Sequence, residues 1–116
     1  MRFLFALIAA ALLFPLTGYA QDAAAGAELF KRKCKGCHRL SDGKKMGPGL
    51  AGVTDRRSEE WIDNWLKGPK DVIESGDEYA VSLLEKYKKK MPTLKAMQDP
   101  QNRKDIISFL KQNDGK

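Results

Sequence analysis

Hydrophobic residues are spread unevenly along the 116-residue chain. Arg2 is followed by an unbroken apolar run from Phe3 to Leu16, and then by the small residues Gly18 and Ala20 on either side of Tyr19. That order predicts a secretory leader over residues 1–20, removed after Ala20. The run contains Pro15 and falls short of the roughly 20 apolar residues that a membrane-crossing helix requires. Later apolar clusters are short and interrupted by charge, so no transmembrane span is expected in the mature chain, residues 21–116.

Beyond the leader, apolar positions recur at helical rather than strand spacing. Asp22 is a helix cap for a segment reaching Lys33, with Ala23, Ala27 and Phe30 on one face and Cys34 at its end. From Ser41 to Thr54 the glycines and Pro48 predict an irregular loop that wraps something. Ser58 caps a second helix, Glu59 and Glu60 suit its first turn, and Gly68 and Pro69 stop it after Lys67. Trp61 and Trp65 share one of its faces. A third helix is expected from Asp77 to Tyr87, turning Tyr79, Leu83 and Leu84 inward. Lys88 to Lys90 and Met91-Pro92 then break the pattern. Asp99 and Pro100 open the last helix, which buries Ile106, Ile107, Phe109 and Leu110 and ends near Asn113 and Gly115. No alternating strand pattern, repeat or linker interrupts this order. The expectation is one all-α domain of about four helices.

Size limits what such a domain can do alone. A mature chain of some 96 residues has a marginal core, and its two cysteines, Cys34 and Cys37, stand too close together to staple it. A large apolar cofactor would supply the missing interior. Charge adds a second bound: setting Arg2 aside leaves 20 Lys and Arg against 15 Asp and Glu, a formal +5. For an exported protein this disfavours nucleic acid and favours acidic protein partners or anionic surfaces.

Cys34-Lys35-Gly36-Cys37-His38 carries the chemistry. Two thiols three positions apart on a turn can each add to a vinyl group of one porphyrin, and the next residue then comes beneath the iron. The pattern therefore predicts one covalent haem c with His38 as an axial iron ligand. Structural zinc would need four Cys or His ligands, and only three exist. A thioredoxin-type dithiol would need a parallel sheet. With His38 the only histidine, the sixth position falls to a methionine, to a lysine, or to none. Met91, 53 residues past His38 in an extended break, is preferred. Met97 is the competitor, although it could equally fill the core, and Met46 lies too close to His38 to reach the far face easily. A His and Met pair raises the potential and fills both axial positions, which leaves outer-sphere electron transfer as the chemistry.

These residues resemble the class I cytochrome c family over essentially the whole mature chain. Gly26 and Phe30 precede the attachment sequence, Gly47-Pro48-Gly49-Leu50 looks like the family's proximal loop, Met91-Pro92 looks like its ligand loop, and Phe109 falls where the last helix bears an aromatic residue. The resemblance implies that Gly26 lets the first and last helices cross closely, with Phe30 and Phe109 packed nearby. It implies that the Pro48 carbonyl accepts a hydrogen bond from His38, and that Arg56, Arg57, Trp61 and Trp65 are donors to the haem propionates, against a simpler role in packing or surface charge.

In function it implies a monomeric, periplasmic single-electron carrier rather than an enzyme, serving redox proteins of a respiratory chain. Alternatives are a dedicated donor subunit of one periplasmic oxidoreductase, or a peroxidase or gas sensor with an open sixth site. Lys31, Arg32, Lys33, Lys35 and Arg39, with Lys44, Lys45, Lys86 and Lys88 to Lys90, form basic clusters suited to acidic docking surfaces.

Overall fold

The first and last helices meet at a glycine. In the computed structural model, which describes residues 21–116, α1 (Ala23–Lys33) crosses α6 (Pro100–Asn113) where Gly26 lies against the Asp105 backbone. A Cβ at Gly26 would overlap the Asp105 carbonyl and stand 2.8 Å from the Phe109 Cβ. Phe30 and Phe109 pack beside the crossing, centroids 5.5 Å apart and tilted by 52°. Asp105 is buried there and accepts from the Asp22 backbone N–H at 3.1 Å and from Gln101 Nε2 at 2.8 Å. One carboxylate thus ties the start of α1 to α6.

Between them run α2 (Val53–Arg56), α3 (Glu59–Lys67), α4 (Pro69–Glu74) and α5 (Glu78–Tyr87), followed by a short 3-10 helix, Lys95–Gln98. There is no strand among the described residues. The caps explain the boundaries. The side chains of Asp22, Ser58, Asp77 and Asp99 accept from the backbone N–H groups of Ala25, Trp61, Ala80 and Gln101, satisfying donors that the first helical turn leaves free.

Helices α1, α3, α5 and α6 are the four that the apolar spacing predicts; α2, α4 and the 3-10 helix are additions. Helix α4 starts at Pro69, the residue read as a stop for α3. Proline has no N–H to lose at a first helical position, so it ends one helix and begins the next. Helix α2 starts at Val53, inside the stretch read as irregular. Gly52 caps it without a side chain, and the missing acceptor comes from the far end of the chain. Asp114 accepts from Gly52 N at 2.7 Å, and from Thr54 N and Oγ1 at 3.0 and 2.7 Å. Burial pushes the Asp114 carboxyl up, but these hydrogen bonds and the Lys116 charge outweigh it and hold the group below its ordinary value.

Leu29, Phe30, Ile62, Leu66, Met97, Ile106, Ile107 and Leu110 form the centre of the core. Arg103 is buried among them, with Nε 2.8 Å from Asp63 Oδ1 and Nη1 2.8 Å from the Met97 carbonyl. The leader expected over residues 1–20 lies outside the described residues. Among the described residues, no helix is long and apolar enough to cross a membrane.

Candidate functional site

A mostly apolar cavity opens between the helices. Phe30 and Cys34 from the end of α1, Ile62 and Leu66 from α3, and Ile106 and Leu110 from α6 form its floor. Helix α5 contributes Tyr79, Leu83, Leu84 and Tyr87. These four remain partly exposed because they face the cavity instead of another helix.

The attachment sequence forms one wall. Hydrogen bonds to the Cys34 carbonyl from the backbone N–H groups of Cys37 (3.1 Å) and His38 (3.0 Å) fold it into a tight turn. Cys34 is buried and Cys37 exposed, and the two are not joined to each other. Burial, reinforced by the neighbouring Cys37, pushes the Cys34 thiol up to about 11, so it is neutral at ordinary pH.

His38 Nδ1 is 2.9 Å from the Pro48 carbonyl. A carbonyl only accepts, so Nδ1 carries the proton and Nε2 keeps a free lone pair for a metal. Gly47 seats the ring: a Cβ there would stand 2.6 Å from His38 Cε1. The loop is fastened to the turn by Gly47 N to the Cys37 carbonyl and Leu50 N to the Arg39 carbonyl, each 2.9 Å.

The three methionines among the described residues occupy different places. Met91 lines the cavity, and the Trp65 indole N–H donates to its sulfur at 3.1 Å. Met46 also lines the cavity but is 53% exposed, its sulfur 3.9 Å from that of Cys37. Met97 is completely buried in the core and does not reach the cavity.

Trp61 and Trp65 line the cavity, stacked at 5.2 Å with planes 11° apart. Trp61 donates its indole N–H to Asp77 Oδ2 at 3.1 Å, and Trp65 donates its own to the Met91 sulfur. Arg56 lines the cavity, with Nη1 donating to the Ala51 carbonyl at 2.6 Å. Arg57 stands just behind the lining, 4.0 Å from the Tyr79 ring centroid, and its Nε is buried without a hydrogen-bond partner.

Apolar walls, two thiols, an imidazole with one free nitrogen, a thioether and an orphaned guanidinium N–H fit a porphyrin with an iron centre and acidic side arms. A family model described as Cytochrome c matches residues 23–114. The chain belongs to the cytochrome c family. It is 36% identical over 103 residues to cytochrome c of Arabidopsis thaliana, covering 78% of this chain and 88% of the relative. Among solved structures, cytochrome c from Rhodothermus marinus superposes with a TM-score of 0.72 at 29% identity over 84% of each chain. The cytochrome c domain of the pp3183 protein from Pseudomonas putida gives 0.66 at 27%, covering 78% of this chain and 89% of that one.

The protein is thus a small class I c-type cytochrome, an electron carrier whose cofactor is a covalent haem c and which acts with redox partners. Cys34 and Cys37 are the attachment thiols of the matched motif. Tyr87, Ile73 and the Asp77 acceptor are site residues that sequence reasoning did not single out. Tyr87 could have been found from its place three and four residues beyond Leu84 and Leu83 on the same helix face.

Proposed function

We propose that this cytochrome is a periplasmic single-electron carrier in which His38 and Met91 are the axial ligands of the haem iron. The observation that carries the reading is the sorting of the methionines. Met91 shares the cavity with His38 and both cysteines, whereas Met46, also in the lining, is 53% exposed with its sulfur beside Cys37, and Met97 is sealed in the core. The leader pattern of residues 1–20 supports export to an oxidising compartment where the carrier would serve a respiratory chain.

The haem, when bound, supplies a one-electron iron couple whose potential depends on axial ligands, hydrogen bonding and burial. Everything else is done by the chain. Pro48 and Gly47 hold the His38 ring in one orientation, which keeps its basicity and its position constant. A thioether at Met91 is a soft donor that favours the ferrous state. The apolar floor excludes water, so charge changes at the iron meet little solvent to reorganise.

Lysines converge at the rim. Lys44 lies 5.2 Å and Lys86 5.6 Å from the Tyr87 ring centroid, and Lys89 and Lys90 line the cavity themselves. Positive charge gathered there suits an acidic partner, raising the encounter rate more than the lifetime of the complex.

The test is the absorption spectrum of the ferric protein, whose weak long-wavelength band reports sulfur bound to iron. The band should vanish in Met91→Leu and persist in Met97→Leu. A native protein without it has an open or lysine-bound sixth site, and the carrier reading fails. Mass spectrometry of the haem protein from a periplasmic extract should give a chain beginning at Gln21; haem protein confined to the cytoplasm would overturn the location.

A further inference from the structure

Behind Met91 stands a chain of contacts that begins at the cap of another helix. Asp77 is the N-cap of α5, and its two carboxylate oxygens have separate uses. Oδ1 accepts from the Ala80 backbone at 2.9 Å, and Oδ2 accepts from Trp61 Nε1 at 3.1 Å. Trp61 and Trp65, one helical turn apart on α3, stack nearly parallel at 5.2 Å. Tyr79 meets Trp61 edge-on at 5.3 Å, and the Arg57 guanidinium covers Tyr79, so the Trp61 ring is held from three directions. The last contact is the Trp65 N–H on the Met91 sulfur.

We infer that Asp77 is a positioning residue for the redox centre, acting through the Trp61 and Trp65 stack to hold an indole N–H on the sulfur of Met91. The inference rests on Met91 as the axial ligand. A thioether has two lone pairs, of which iron takes one and an N–H donor can meet the other. Ferric iron withdraws more electron density from sulfur than ferrous iron does, so the sulfur is a poorer acceptor in the oxidised state. The hydrogen bond is therefore stronger in the reduced protein and raises the potential. Sulfur detached from iron regains its second lone pair and accepts best of all. The same N–H thus eases displacement of Met91 by an external ligand.

Both consequences have a measurable sign. Trp65→Phe keeps an aromatic ring in the stack and removes only the donor. Asp77→Ser keeps a good helix cap but leaves no second oxygen for Trp61. Each variant is compared with the native holoprotein in three measurements: the long-wavelength sulfur band, the midpoint potential, and imidazole binding to the ferric form.

Expected for Trp65→Phe are a retained band, a lower potential, and imidazole binding weakened by up to about fivefold, a ceiling set by one net hydrogen bond of about 1 kcal/mol because the N–H already bonds the iron-bound sulfur more weakly. Asp77→Ser should shift both in the same direction by a smaller amount. A retained band in Trp65→Phe with unchanged potential and unchanged imidazole affinity would overturn the role of the donor. If Trp65→Phe shifts both while Asp77→Ser changes only thermal stability, Asp77 is a helix cap and nothing more, and its positioning role is refuted. Absence of the band from the native protein would instead refute the ligand assignment beneath the inference.

Discussion

Gly26→Ala adds one methyl group at the place where α1 and α6 touch, and the sign of its effect follows from two opposed magnitudes. Alanine favours a helix interior over glycine by about 1 kcal/mol. Against that, the new Cβ overlaps the backbone carbonyl of Asp105 and presses on the Phe109 Cβ at 2.8 Å. A flexible side chain could swing aside, but a helix backbone cannot. The two helices must separate, loosening the Phe30 and Phe109 contact and the hydrogen bond from Asp22 N to Asp105. Overpacking of this kind costs about 1–3 kcal/mol, and the upper part of that range applies because backbone is involved.

The net expectation is a loss of about 1–2 kcal/mol, or roughly 4–16 °C in Tm for a domain of this size. Denaturant titration of the oxidised holoprotein, followed by far-ultraviolet circular dichroism, measures it. A Gly26→Ala protein as stable as the native one, or more stable, would show that helix propensity outweighs the crossing and that the reasoning is wrong.

Three further outcomes are expected. Met97→Ala should cost about 2–5 kcal/mol, as for any fully buried side chain truncated to alanine, yet leave the sulfur band of the ferric spectrum intact. Asp114→Ala should cost about 0.5–2 kcal/mol at neutral pH, the range for losing a helix cap. Because the Asp114 carboxyl is held below its ordinary value, its contribution is present above about pH 3.9 and is lost as pH falls through the lower folded value. Acid titration of stability should therefore be flatter in the variant than in the native protein. Asp63→Ala leaves the buried Arg103 with only the Met97 carbonyl and should cost about 1–3 kcal/mol, whereas Lys70→Ala, in an exposed pair with Glu74, should change stability by less than about 0.5 kcal/mol; equal effects in chemical denaturation would contradict the role given to burial.

What the sequence reveals of this fold is what local chemistry decides. The starts of α1, α3, α5 and α6 are legible because Asp22, Ser58, Asp77 and Asp99 bond to backbone two or three residues ahead. The start of α2 is not, since its acceptor is Asp114, 62 positions from Gly52, and no local pattern announces a partner at that distance. The site divides in the same way. Cys34, Cys37 and His38 are close in sequence and carry their meaning in their spacing. Trp61 and Trp65 share a face by simple periodicity, but whether their N–H groups meet a carboxylate, a sulfur or a cofactor depends on where α5 and the Met91 segment come to rest.

Those two elements come to rest for different reasons, and the difference bears on electron transfer. Helix α1 and helix α6 bury apolar side chains against each other. Helix α5 buries only Ala80 fully and packs chiefly on α4, while Tyr79, Leu83, Leu84 and Tyr87 all face the cavity. In a domain too small to complete its own core, the haem, when bound, would be the apolar partner of that face. Met91 follows α5 directly, so on its N-terminal side its position depends on the cofactor it is proposed to bind. On the C-terminal side it does not. Six residues on, Met97 is locked in the core with its carbonyl held by Arg103, which is itself fixed by Asp63. A carrier that keeps one ligand set through oxidation and reduction needs such a point of attachment. The two methionines would have complementary roles in providing it, since Met97 fixes the segment to the protein and Met91 carries the sulfur proposed as the iron ligand.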